Sequence, residues 1–246
     1  MRESLRNLTA LVTGASSGIG RATALALARE GADVVVAARR EARLEALVDE
    51  IGRECEGDAR VVVTDVTEAA QVEAVVDAAV EWGGQLDVVV NNAGILHTRG
   101  VEETSTAEFD ELMAVNTRGM FLTARESLPH LRASNGNLVF VGSVAGRYPR
   151  PHSPLYAATK WWTRGLALSL AGVAGEDGVA VTVVGPDAVR TEIGKQDGDP
   201  FKQRFDEGEV PEPEDVAEAI VFSARQETPV SVPEIDLYRR DKLSHF

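Results

Sequence analysis

Tyr156 and Lys160 stand four residues apart in a segment, Ser153 to Val173, whose pattern predicts a helix. Their side chains then share one face on adjacent turns. Ser153 suits the cap and Pro154 the first turn, which puts Tyr156 where the helix dipole favours a tyrosinate. A free tyrosine titrates near 10, so bringing it to neutrality takes about 3 units, or roughly 4 kcal/mol. The Lys160 ammonium, the helix end and a cationic ligand can together supply that. Such a tyrosine gives a proton to a carbonyl oxygen or takes one from an alcohol. Ser143 ends a predicted strand and offers a hydroxyl to the same substrate oxygen. The plain alternative is a helix tyrosine in solvent beside a surface lysine. It fits poorly with a chain whose only lysines are at 160, 195, 202 and 242.

A second cluster of chemistry lies at the start of the chain. Thr13-Gly14-Ala15-Ser16-Ser17-Gly18-Ile19-Gly20 falls between the first predicted strand and the first predicted helix. Glycines serve where a backbone turns sharply and approaches a pyrophosphate, and the helix start offers free N–H groups to the phosphates. After the second strand a carboxylate holds the adenosine ribose when NAD is preferred. Here that position is Ala38, followed by Arg39 and Arg40. A guanidinium forks onto a 2′-phosphate, so the residues point to NADP, with NAD less favoured. Ser17 and Arg21 can add donor or positive character. The alternative is that Arg39 and Arg40 merely open a solvated helix.

These side chains need an alternating scaffold, and the chain supplies one. Strands are predicted at Leu8–Thr13, Asp33–Ala38, Arg60–Thr64, Leu86–Asn91, Asn137–Val141, Val179–Val184 and Val232–Tyr238. Helices are predicted at Gly18–Glu30, Arg40–Glu54, Glu68–Trp82, within Thr104–Ser134 as one or two, at Ser153–Val173 and at Glu214–Arg225. Regular alternation with continuously apolar strands predicts an α/β fold, a doubly wound parallel sheet of about seven strands with helices on both faces. No linker or repeat divides residues 1–246, so a single domain is expected. Thr191 to Pro213, rich in Gly, Asp, Glu and Pro, is long for a connection and is a candidate substrate lid; a plain surface excursion is the alternative.

The G-x-x-x-G-x-G spacing resembles the short-chain dehydrogenase/reductase family, and further motifs follow in that family's order. Asn91-Asn92-Ala93-Gly94 resembles its N-A-G turn, and Met113-Ala114-Val115-Asn116 its helix segment with an active-site Asn. Val141-Gly142-Ser143 resembles its strand end with an active-site Ser, and Tyr156-Ala157-Ala158-Thr159-Lys160 its Y-x-x-x-K. The resemblance covers essentially the whole chain. It implies a Rossmann fold and an NADP-dependent oxidoreductase that moves hydride between the cofactor and a small alcohol or ketone. It implies that Asn116 fixes a helix irregularity and a water relaying protons toward Lys160. It implies adenine contact by Asp65 and Val66, and cofactor contact by Asn92, Ala93, Gly94, Pro186, Val189 and Thr191. Gly185-Pro186-Asp187 departs from the family's P-G: Asp187 replaces a glycine, and aspartate tolerates the left-handed region better than most residues. Its carboxylate either meets the nicotinamide ring or turns away to local N–H groups. The ending Glu234-Ile235-Asp236-Leu237-Tyr238-Arg239 is similar to NADP-linked 3-hydroxy-acid and clavulanate-type dehydrogenases. A 3-oxoacyl-thioester reductase remains a second reading. A nucleotide-binding sensor or scaffold without turnover is the reading from another class.

Composition bounds the setting. The 246 residues carry a net charge of −14, with 39 acidic and 25 basic residues, so nucleic acid and anionic lipid are poor partners. No apolar run approaches the roughly 18 needed to span a bilayer, and Met1 to Leu8 has no signal-like core. A cytoplasmic protein is expected. Cys55 is the only cysteine, which excludes a disulfide framework. His97 and His152 lack a third partner, so no metal site is expected. His97, Arg147, Tyr148, Arg150, His152 and Lys195 lie beside the expected pocket; they suit an acidic substrate or, more simply, pair with nearby carboxylates. The shortage of lysine on an acidic surface fits a protein kept soluble in concentrated salt, or else a genome that favours arginine codons. Trp161 and Trp162 lie on the helix that the family packs against a partner, which implies a homo-oligomer, a tetramer or dimer.

Overall fold

Short β-branched runs that are apolar at nearly every position can bury both faces, and in the five inner strands of the sheet they do. The structure is a computed structural model that describes residues 1–194 and 199–241. Seven strands form one parallel sheet: β1 Thr9–Thr13, β2 Asp33–Ala38, β3 Ala59–Val63, β4 Val88–Asn91, β5 Asn137–Val141, β6 Ala180–Pro186 and β7 Glu234–Leu237. Their order is β3-β2-β1-β4-β5-β6-β7. Val12 of β1 lies opposite Val36 on one side and Val90 on the other. The chain order reverses between β1 and β4, and a crevice opens there beyond the strand ends.

Alternate strand residues feed two cores. Ala10, Val12, Val34, Val36, Val88 and Val90 pack against α1 (Gly18–Arg29), α2 (Glu41–Glu54) and α8 (Pro213–Ala224). Leu11, Val35, Val89, Leu138 and Phe140 pack against α3 (Ala69–Gly83), α5 (Met120–Ser134) and α6 (Pro154–Gly175). Helices therefore cover both faces, as the alternation predicts. The predicted Thr104–Ser134 helix is α4 (Thr106–Met113), a π turn at Ala114–Gly119, and α5 in direct succession. Ser105 and Glu108 close a capping box at the start of α4.

The candidate lid is less bare than its composition predicts. It carries the short α7 (Phe201–Arg204), and Arg190 N donates to Pro211 O at 3.0 Å. Residues 195–198 of that segment, including Lys195, lie outside the described residues. Among the described residues, no helix is long and apolar enough to cross a membrane.

Candidate active site

The turn after β1 forms because two glycines take angles that other residues reach at a cost. Gly14 has φ +69° and Gly18 φ +53°. The turn is also stitched to the turn after β4. Thr13 Oγ1 accepts from Asn92 N at 3.0 Å and Ala93 N at 3.2 Å, and Asn92 Nδ2 donates to Thr13 O at 2.8 Å. A Cβ on Gly14 would lie 2.8 Å from Asn92 Nδ2, and one on Gly20 only 2.5 Å from Gly14 O. Gly14, Ser16, Ser17, Gly18 and Ile19 line the cavity, while Gly20 is packed behind them. Ser17, at the N-cap of α1, turns its hydroxyl to Arg40 at 2.7 Å rather than to the helix. The N–H groups that open α1 thus keep their capacity for an anion.

Arg40 lies across this turn. Its Nε and Nη2 donate to Ser16 Oγ at 3.0 and 2.8 Å, and its Nη1 to Glu192 at 3.3 Å. Arg43, one turn on along α2, reaches the same Glu192 carboxylate at 2.7 Å. Arg39 is largely exposed, 4.0 Å from Asp65. Asp65 Oδ1 accepts from Thr67 N and Oγ1, and buried Val66 completes that wall. Arg21 instead pairs with Glu50 and does not face the cavity, so its expected contribution is not made.

At the other end, β5 delivers Ser143 and α6 delivers Tyr156 and Lys160. Lys160 is buried, its Nζ donating to Val141 O at 2.9 Å and lying 5.7 Å from the centre of the Tyr156 ring. Ser143 Oγ accepts from Ala145 N at 3.1 Å and donates to Pro186 O at 3.4 Å. Asn116 sits on the π turn, fully buried. Its Oδ1 accepts from Ile95 N and its Nδ2 donates to Ile95 O, both at 2.9 Å, and Nδ2 also donates to Thr159 Oγ1 at 3.2 Å. A Cβ on Gly94 would lie 3.5 Å from Asn116 Oδ1 and 3.8 Å from Lys160 Nζ. The four sequence-selected side chains are therefore gathered at one end of the cavity.

Two expectations about this end are corrected. Ser153 makes no side-chain capping bond; Pro154 starts α6 and Ala157 N bonds the Ser153 carbonyl. The protein's own groups do not by themselves lower Tyr156 toward neutrality. Desolvation pushes it up to about 12, against the smaller pull of the Ser143 hydrogen bond and the Arg150 charge. Burial also draws Lys160 down to about 8. A wall that excludes water penalises both charged forms.

Pro186, at the end of β6, and Asp187, Val189 and Thr191 after it run along the cavity. Asp187 N donates to Leu237 O at 2.9 Å. Asp187 is outside the left-handed region, since the described non-glycine residues there are Asn7 and Asn135. A glycine is therefore not required by backbone angle. The carboxylate is buried, 3.7 Å from Arg150 Nη2. Of the neighbouring cations, Arg150 reaches the cavity, while Arg147 pairs with Glu234 at 2.8 Å and Asp236 at 2.5 Å. Ile95, Leu96, Val144, Phe201 and Phe205 make much of the substrate end apolar, with Thr98 and Ser153 as further polar lining. Sequence reasoning missed Arg43, Glu192 and the Arg150–Asp187 contact. Arg43 was legible as one helical turn beyond Arg40; the other two link distant segments and leave no local signal.

The Gly14–Ile19 turn, Arg40, Ser143, Tyr156 and Lys160 line one cavity of about 840 Å³, with Asn116 buried behind its wall; that volume is within the roughly 300–1,000 Å³ of small-molecule and cofactor sites. Uncapped N–H groups and Arg40 at one end fit a dinucleotide's phosphates, and the Ser–Tyr–Lys group fits a reacting oxygen at the other.

Comparison with known proteins agrees with this geometry. Residues 8–200 match the family profile described as short chain dehydrogenase. An uncharacterized oxidoreductase of Staphylococcus aureus is 33% identical over 232 residues, 94% of this chain and 96% of the relative. Among solved structures, the alcohol dehydrogenase of Thermococcus sibiricus complexed with 5-hydroxy-NADP superposes with a TM-score of 0.87 at 32% identity. It covers 95% of this chain and 98% of that one. The 3-ketoacyl-(acyl-carrier-protein) reductase of Brucella melitensis complexed with NADH gives 0.83 at 33% identity, covering 95% and 98%.

Proposed function

The chain belongs to the short-chain dehydrogenase family, and on that premise we propose that it is an NADP(H)-dependent oxidoreductase acting on a small neutral alcohol or ketone. The observation that carries this reading is the single cavity with the Gly14–Gly20 turn and Arg40 at one end and Ser143, Tyr156 and Lys160 at the other. The bound cofactor supplies or accepts the hydride. Tyr156 is the proton donor to the developing alkoxide, and burial favours its protonated form. Ser143 orients the carbonyl oxygen. Lys160 places positive charge beside the tyrosine, and Asn116 holds Ile95 and Thr159 so that Lys160 stays aimed at the cavity. Arg39 and Arg40 select the 2′-phosphate, and the Glu234–Arg239 ending supports the NADP-linked 3-hydroxy-acid-type branch. That ending does not bring the branch's acidic substrate with it, because Arg147 and Arg150 face carboxylates of the protein itself.

The test is NADPH consumption over a panel of ketones, aldehydes, sugars and acyl thioesters. Tyr156→Phe is expected to lower kcat by about 10²- to 10⁴-fold with cofactor binding intact; a variant keeping a tenth of the activity removes the assignment. The Brucella neighbour supports a 3-oxoacyl-thioester reductase as the second reading, and turnover restricted to acyl thioesters would select it. Binding without turnover would select the sensor. Trp161 and Trp162, exposed on α6, support a homo-oligomer, a tetramer or dimer. Light scattering is expected to give a multiple of 26.3 kDa; a monomer mass refutes it.

A further inference from the structure

We propose that Glu192 is a specificity-determining residue, a carboxylate built into the protein that competes with the cofactor's 2′-phosphate for Arg40 and Arg43. The inference rests on the reading that Arg40 faces an NADP phosphate and extends it to Arg43, which stands one turn on and shares Glu192. Glu192 accepts from Arg43 at 2.7 Å and from Arg40 at 3.3 Å. It reaches them from the far end of the sheet, one residue past Thr191. That placement is fixed by the backbone and packing around it. Lys202 N donates to Thr191 O at 2.8 Å and Phe201 N to Ile193 O at 3.2 Å. The Thr191 methyl packs on the phosphate turn, 3.1 Å from where a Gly18 Cβ would stand.

Arg40 commits Nε and Nη2 to Ser16 and Ser17, which leaves Nη1, the nitrogen that donates to Glu192. The edge that Glu192 takes is thus the one left for an incoming anion. The arginines hold the Glu192 carboxyl below the usual carboxylate range, Arg43 foremost, so it is charged at neutral pH. A dianionic phosphate and a carboxylate repel each other on the same pair of guanidiniums, so one leaves as the other enters. NADP then binds less tightly than the two arginines alone would allow.

Adenosine 2′,5′-bisphosphate and 5′-AMP separate the phosphate from the reaction, since neither carries a nicotinamide. Calorimetric titration of the wild type and Glu192→Gln with both probes reads the competition directly. The substitution is expected to tighten the bisphosphate roughly 3- to 10-fold, the scale of a partly exposed ion pair, and to change 5′-AMP by less than about twofold. Equal changes for both probes, or none, overturn the proposal. Unchanged 5′-AMP affinity also reports that the phosphate turn has kept its fold. A wild type that binds the bisphosphate no better than 5′-AMP refutes the NADP reading, yet Glu192→Gln must still raise the ratio of the two affinities. An unmoved ratio overturns the competition whichever cofactor the enzyme uses.

Discussion

Lys160 and Tyr156 are the residues whose chemistry burial alters most. Lys160 titrates at about 8 in the fold and at 10.5 when free. Between those values the unfolded chain binds the extra proton, so this residue makes stability rise with pH from about 8 to 10.5. The cost of its buried charge is fully present below 8. Tyr156, at about 12 against 10.0, acts oppositely and lowers stability as pH rises from 10 to 12. Comparing wild type with Lys160→Met cancels the tyrosine and isolates the lysine. In urea unfolding without added cofactor, the wild type is expected to gain about 1–3 kcal/mol on the variant between pH 7 and 10. A constant difference would show that Lys160 is not desolvated.

Within the elements, glycines of opposite character make a clean comparison. Gly14 combines a positive φ with contacts under 3.0 Å from its would-be Cβ to Asn92 and Ala93. Gly52, near the end of α2, has ordinary angles and nothing within 4 Å. Gly14→Ala is expected to cost about 1–3 kcal/mol and to weaken cofactor binding. Gly52→Ala is expected to stabilise by up to about 1 kcal/mol through helix propensity. Chemical denaturation of the two variants checks both signs; a neutral Gly14→Ala would mean that the turn can relax away from Asn92. The π turn between α4 and α5 is the other element-scale feature. Its extra residue per turn carries Asn116 inward onto Ile95 and Thr159, a use common for such bulges at functional sites.

For the whole molecule, charge is the dominant quantity. With 39 acidic and 25 basic residues, many carboxylates have no basic partner available anywhere in the chain. Several arginines are shared, as Arg147 is between Glu234 and Asp236, and Glu234 also takes Arg164 at 2.6 Å. Self-repulsion destabilises such a molecule in dilute buffer, and salt shortens its range. The thermal midpoint is expected to rise from low to molar KCl. An unchanged midpoint would favour arginine codon preference as the origin of the lysine shortage. The same screening weakens exposed pairs such as Arg43–Glu192, but the acidic surplus outweighs them.

The sequence by itself determined the sheet, its two faces and the order of the elements. Val34 to Ala38 and Val88 to Val90 are apolar at successive positions, and such runs are stable only as strands covered on both sides. It also singled out Tyr156 and Lys160 by helical spacing, whereas Ser143, an ordinary serine at a strand end, gained its role from the family resemblance. Asn116 was legible only through resemblance, since its π turn has no period that the chain displays. Tertiary structure alone decided the protonation of the site and the company its charges keep. Tyr156 is raised rather than lowered because the cavity wall removes water, a property of packing that no spacing encodes. Arg40 meets Glu192 across 152 residues, and Arg150 meets Asp187 across the cavity mouth. Those contacts exist because a parallel sheet brings the ends of distant strands to one edge, where polar side chains pair by proximity rather than by any pattern along the chain.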